Sequence, residues 1–190
     1  MLKIICALAD RNFADAEKDL EADPREEFET GRPAMVSRDW LLGWIKRFEG
    51  DEPSAVAAFT KARQFQSAYV QKSPDDPNQL MVLALADAAL GQKEAALSEG
   101  RRAASMKTIA KDAVDGPLLA TDLAQVYMWT GQKDLAINQL ESLKQVPRAL
   151  TFGDLAKSPD WDPLRDDSRF QQLLSELKPI PIVNRGDQTK

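Results

Sequence analysis

Four aspartates crowd into one short run, Asp160-Trp161-Asp162-Pro163-Leu164-Arg165-Asp166-Asp167, and clustered carboxylates are what a hard cation needs. As a calcium loop beginning at Asp160, the run fails at two decisive positions. Arg165 stands where the sharp turn requires glycine, and Gln171 stands where a bidentate glutamate closes the site. The structural reading accounts for the same residues better. Asp162-Pro163 caps a short turn, Asp167 caps a helix over 168–177, and Trp161, Leu164, Phe170, Leu173, Leu174 and Leu177 cover an exposed end. No metal ligand set is assigned and no cofactor is implied.

Nothing else in the chain assembles a reacting centre. It contains no histidine, the commonest general base and metal ligand, and Cys6 is its one cysteine. Serines, lysines and paired carboxylates are present, but no spacing ties a nucleophile to a base, so catalysis ranks last among the functions. A net charge of −5 argues against general nucleic-acid binding, which needs a basic footprint. The longest apolar run, Ile4 to Ala9, is too short to span a bilayer and lacks the flanks of a signal peptide. One cysteine cannot staple a fold, and the compartment, cytoplasm or periplasm, is left open.

Binding chemistry is better supplied. Trp40, Trp44 and Arg47 recur at helical spacing, and tryptophan and arginine are the usual anchors of an interface when exposed. Their positions depend on a repeated framework. Gly91-Gln92-Lys93-Glu94 and Gly131-Gln132-Lys133-Asp134 lie forty residues apart, and Gly50-Asp51-Glu52-Pro53 lies forty-one residues before the first of them. Leu42-Gly43, Leu83-Ala84 and Leu123-Ala124 precede these glycines, and Ala55, Ala96 and Ala136 follow them by five residues. A small-residue skeleton at a fixed period predicts paired helices stacked into a solenoid.

The helices are expected over 37–49 and 53–72, 78–90 and 93–106, and 118–130 and 133–144. Asp51 and Asp76 are their N-caps, and glycines end the first member of each pair. Arg11-Asn12-Phe13 stands where a glycine turn is due, thirty-nine residues before Gly50, with Ala16 and Leu20 in the places of Ala55 and Phe59. The residues before it read as a chain that begins inside a repeat, the other reading being a native start with a short capping helix. The period exceeds that of the shortest helix-turn-helix repeats, so the second helix of each pair is extended or a longer loop follows it. The expected domain covers 1–178: an incomplete repeat (1–23), repeats over 37–72, 78–108 and 117–146, and a cap over 158–178, with an extended or disordered tail over 179–190.

The run Leu42-Gly43, Gly50, Ala55, Phe59, Ala62 resembles the tetratricopeptide repeat. The copy at Leu123-Ala124, Tyr127, Gly131, Ala136 keeps most of the pattern, while Gly100 stands where a bulky residue is usual. The resemblance covers roughly residues 2 to 146. It implies an all-α, right-handed superhelical solenoid of antiparallel helix pairs, with small residues where paired helices cross. Gly100 then marks an unusually close helix approach. A narrower resemblance joins Lys111-Asp112-Ala113-Val114-Asp115-Gly116-Pro117, Asp122-Leu123-Ala124-Gln125-Val126-Tyr127 and the segment from Ser158 to Phe170. Together they look like the C-terminal repeats of large bacterial signalling proteins, among them serine/threonine kinases, nucleotide cyclases and winged-helix regulators. Ser168 departs from the proline usual there. No kinase, cyclase or DNA-binding segment accompanies them, so the resemblance implies a regulatory or interaction module.

In such a stack the first helix of each pair lines the concave face. Residues ten, six and three before each turn glycine point into it: Trp40, Trp44 and Arg47; Met81, Leu85 and Ala88; Thr121, Gln125 and Met128. A groove so lined suits an extended or helical peptide with apolar anchors. Alternatively Trp40 and Trp44 pack against the N-terminal half-repeat, or against a missing part of a longer parent protein. The lysine and asparagine clamp by which one branch of the family grips a terminal carboxylate is missing. The expected function is a non-catalytic protein-interaction module, with self-association through Ile4, Ile5 and Leu8 of the first helix as the alternative.

Overall fold

The computed structural model of the chain describes residues 1–29, 34–147 and 149–179. Among the described residues the protein is predominantly helical. Helices α1 (Leu2–Ala9) and α2 (Phe13–Ala22) form a first hairpin, and α3 (Arg38–Glu49) and α4 (Glu52–Lys72) a second. Helices α5 (Pro77–Ala89) and α6 (Lys93–Met106), then α7 (Asp115–Trp129) and α8 (Lys133–Leu143), form two more. Helix α9 (Phe152–Lys157), a 3-10 helix over Pro159–Leu164 and α10 (Ser168–Leu177) follow and complete the described elements. No described helix is long and apolar enough to cross a membrane. The tail expected over 179–190 lies, from residue 180 on, outside the described residues.

Each hairpin turns on one residue in the left-handed region. Arg11 has φ 60°, Gly50 90°, Gly91 72° and Gly131 77°, and positive φ is confined to these four among the described residues. The turn that carries no glycine therefore adopts the glycine conformation at the place the repeat spacing predicts. Capping follows the sequence closely. Asn12 accepts from the Asp15 amide, Asp51 from that of Ser54, and Asp76 from those of Asn78 and Gln79.

The hairpins hold together through small residues set against large ones. Ala55, Phe59 and Ala62 are buried on α4, and the Phe59 ring lies 3.0 Å from where a Cβ on Gly43 would sit. Gly100 is buried on α6, and a Cβ there would meet the side chains of Leu123 and Val126 of α7 at 3.4 Å, about an ordinary contact distance. Packing is densest within the second, third and fourth hairpins. It continues between them from α2 to α3, α4 to α5 and α6 to α7, an arrangement compatible with a helical repeat. The surplus in the forty-residue period is met in both ways: α4 runs 21 residues to Lys72, whereas α6 is followed by a loop over 107–114.

The fold departs from the all-helical expectation at 27–37. Strands β1 (Glu27–Glu29) and β2 (Met35–Ser37) pair antiparallel with Phe28 opposite Val36, and both side chains are buried. The Arg38 guanidinium ties the segment down by donating to the carbonyls of Leu20, Asp23 and Arg25. The C-terminal cap also carries an unforeseen turn, α9. Ser158 rather than Asp162 begins the 3-10 helix, its hydroxyl accepting from the Asp160 amide at 3.3 Å. Asp167 caps α10 as expected, accepting from the Arg169 amide at 2.9 Å. Leu155, Trp161, Leu164, Phe170 and Leu173 join Ala124, Met128, Ala136, Ile137 and Leu140 in a second core, beyond the main one that runs from α1 to one face of α7.

Candidate functional site

Trp40, Trp44 and Phe48 recur every four residues on α3, so their rings share one face, with successive centroids 6.4 and 6.2 Å apart. Trp40 is buried edge-on against Phe59 of α4 at 5.5 Å, and Phe59 meets Trp129 at the end of α7 at 6.0 Å. The other side of that contact is cationic. The Arg47 guanidinium lies 4.6 Å from the centroid of the Trp129 ring, close enough for a cation–π attraction.

The C-terminal segment comes back onto this face. The Gln125 amide donates to Asp160 Oδ1 at 2.8 Å and the Ser158 hydroxyl to Asp160 Oδ2 at 2.8 Å. Burial pushes the Asp160 carboxyl up to about 6, against hydrogen bonds from Ser158, Gln125 and Trp129 and the positive charge of Arg47, all of which favour the carboxylate. The turn between α1 and α2 is also tied directly to this segment. Arg11 donates to the Lys157 carbonyl at 2.7 Å and to Asp162 Oδ1 at 2.6 Å. A left-handed conformation costs a non-glycine residue of order 1 kcal/mol, and here it aims the guanidinium across the chain.

A crevice with two chambers remains between α1, α3 and the end of α7 on one side and the returning segment on the other. The larger, of about 550 Å³, is bounded by Arg11, Phe13, Arg47, Glu52, Met128 and Trp129 against Asp160 and Asp162. The smaller, of about 300 Å³, lies between Ile5, Leu8 and Trp44 and the residues from Gly153 to Asp160. Phe48, Pro159 and Asp160 line both. The crevice is thus an aromatic cleft lined by two arginines, Arg11 and Arg47, and by the carboxyl groups of Glu52, Asp160 and Asp162. It can hold an apolar group and orient a polar one.

The residues expected on the concave face divide accordingly. Trp44, Arg47 and Met128 line the crevice, and Gln125 bonds the segment that closes it. Trp40 lies in the layer beneath, 5% exposed, packed against Phe59 of its own hairpin partner α4, so it offers no surface to an incoming molecule. Met81 and Leu85, 1% and 5% exposed, and buried Ala88 belong to the main core, so an incoming molecule meets none of them. Their burial follows from the packing of α5 against both α4 and α7. Thr121 donates to the Ala149 carbonyl, helping to fix the loop ahead of α9. The clustered aspartates diverge to different partners: Asp160 to Gln125 and Ser158, Asp162 to Arg11 and Arg165, Asp167 to the start of α10 and Arg169.

Sequence reasoning passed over Arg11, Phe48, Trp129 and Asp160 as site residues. Arg11 carried a signal, since an arginine at a glycine position has a conformational cost that an interaction must offset. Compared with protein-family models, with curated proteins and with solved structures, the chain matches none.

Proposed function

We propose that the chain is a tetratricopeptide-type interaction module that binds a peptide or protein partner in the crevice around Trp44, Arg47 and Trp129. One observation carries the reading. Arg47 is half-buried over Trp129 and makes no ion pair within 4.0 Å with any described carboxylate, although it sits in a protein with an acidic surplus. A guanidinium stacked on an indole, with no hydrogen bond or ion pair to another described residue, is a ready anchor for a partner's acceptor groups. Four turns of one conformation at one spacing support the repeat assignment. The C-terminal residue pattern supports a place in a larger bacterial signalling protein. Self-association is the second reading; of the residues expected to carry it, Ile4 and Leu8 are buried in the core, and only Ile5, 40% exposed, is left at the surface of α1, beside Leu2 at 75%.

Affinity capture with the wild-type chain and with Trp44→Ala and Arg47→Glu tests the proposal. A partner held by the wild type and lost by both variants supports it; retention of every partner by both rules it out.

A further inference from the structure

Helix α1 is built unlike an outer helix. Its residues, Leu2 to Ala9, are apolar except for Lys3, so it has no polar side to turn to water. A helix apolar all round is ordinarily covered all round. Here Ile4 and Leu8 are buried on the inner side, whereas Leu2, Ile5 and Cys6 are exposed. The last helix is finished differently. Helix α10 buries Phe170 and Leu173 and turns Gln171, Gln172 and Glu176 outward, the polar outer face that a terminal cap needs.

The hairpin turns give the uncovered residues their counterparts. Nine residues before each left-handed turn residue stand Leu2, Leu41, Val82 and Asp122, and five before it stand Cys6, Ile45, Ala86 and Val126. Leu2 is 75% exposed, while none of its counterparts exceeds 8%. Cys6 is exposed, and its counterparts are fully buried. The cover on those counterparts is a helix in every case, since α3, α5 and α7 each pack against the second helix of the preceding hairpin. At the last of these junctions a Cβ on Gly100 of α6 would touch Val126, the counterpart of Cys6, at 3.4 Å. The covering helices share buried small residues: Ala16 on α2, Ala55 and Ala62 on α4, Ala96 and Ala103 on α6.

We propose that the outer face of α1 docks an amphipathic helix of a partner protein, its small residues lying against Leu2, Ile5 and Cys6 as α6 lies against α7. Small residues let the two backbones approach, and the apolar area removed from water supplies the attraction. A second copy of the chain is poorly suited, because its helices with such small residues already bury them in the main core. The surface is distinct from the crevice, neither chamber of which is lined by Leu2 or Cys6.

Cys6 is the chain's one cysteine, so its alkylation rate reports on this face directly. The probe is a synthetic peptide with the sequence of residues 51–72, which carries the 21 residues of α4 and exceeds the length at which isolated helices form. Titrated into the full chain, it is expected to slow Cys6 alkylation saturably, about fivefold at a concentration about four times the dissociation constant. The same peptide with Ala58→Lys and Ala62→Lys is expected to give no protection. Leu2→Lys/Ile5→Lys alters only exposed positions, so that chain should keep the wild-type unfolding midpoint and lose the protection. Arg47→Glu should be protected as the wild type is, which separates this surface from the crevice. No protection by the wild-type peptide, or equal protection by the lysine peptide, would overturn the proposal. So would loss of protection in Arg47→Glu, which would move the peptide to the crevice. Alkylation that slows as the chain alone is concentrated would assign the face to a second copy and overturn it too.

Discussion

Arg11 carries the sharpest residue-scale prediction, because two effects of opposite sign meet in one side chain. Its backbone is in a conformation that glycine adopts freely, and its guanidinium joins α1–α2 to the C-terminal segment. Both Arg11→Ala and Arg11→Gly lose the hydrogen bonds, but only alanine keeps the left-handed cost. Urea denaturation should therefore find the glycine variant more stable than the alanine variant by about 1 kcal/mol. Equal stabilities would mean that the turn is not held left-handed. Asp160 and Glu99 govern a second prediction, on pH. Burial raises Asp160 to about 6. Burial first, then hydrogen bonding and repulsion from Asp87, raise Glu99 to about 7. In both cases the folded protein holds its proton more tightly than the unfolded chain does. Their stabilising contribution is complete below about pH 4, near ordinary carboxyl values, and is lost as pH rises toward 7. The denaturation midpoint of Asp160→Asn/Glu99→Gln, followed from pH 4 to 7, should fall less steeply with pH than that of the wild type. An unchanged slope would contradict the assignment.

At the scale of elements, legibility followed the strength of local signals. Helix α6 occupies 93–106 and α10 occupies 168–177, as periodicity and capping residues required. These segments have a cap or turn residue at one end and a clean apolar stripe between. The β1–β2 hairpin was not legible, since three-residue strands are too short to show an alternation. Its anchoring is tertiary: Arg38 draws in carbonyls from Leu20, Asp23 and Arg25. Helix α9 was equally hidden, being six residues long with only Thr151 as a cap. Gly116 tests how closely one element must approach another. A Cβ there would lie 2.8 Å from the Ile109 backbone, which cannot move aside as a side-chain tip can. Gly116→Ala should therefore destabilise the protein by about 1–3 kcal/mol in thermal or urea unfolding, despite alanine's better helix propensity. Neutrality would show that the 107–114 loop yields.

At the scale of the whole molecule, the first hairpin is joined to the segment around the 3-10 helix. A spacing argument assigns residues to faces of helices one hairpin at a time, and it placed Trp44, Arg47, Gln125 and Met128 on a common face. It could not show that the chain's own segment from Ser158 to Pro163 returns to that face, because the contact spans 35 residues from Gln125 and 151 from Arg11. Nor could it show that α5 is covered on several sides, which takes Met81 and Leu85 into the core. What remains accessible is the crevice between the first hairpin, α3 and the returning segment, and the account stands on that crevice being the binding surface. The most direct test is calorimetric titration of a partner recovered with the wild-type chain against wild type, Arg47→Glu, and Glu94→Lys on the exposed side of α6. The account predicts at least a tenfold loss of affinity for Arg47→Glu, equivalent to about 1.4 kcal/mol, with Glu94→Lys binding as the wild type does. Equal affinity for wild type and Arg47→Glu would contradict it.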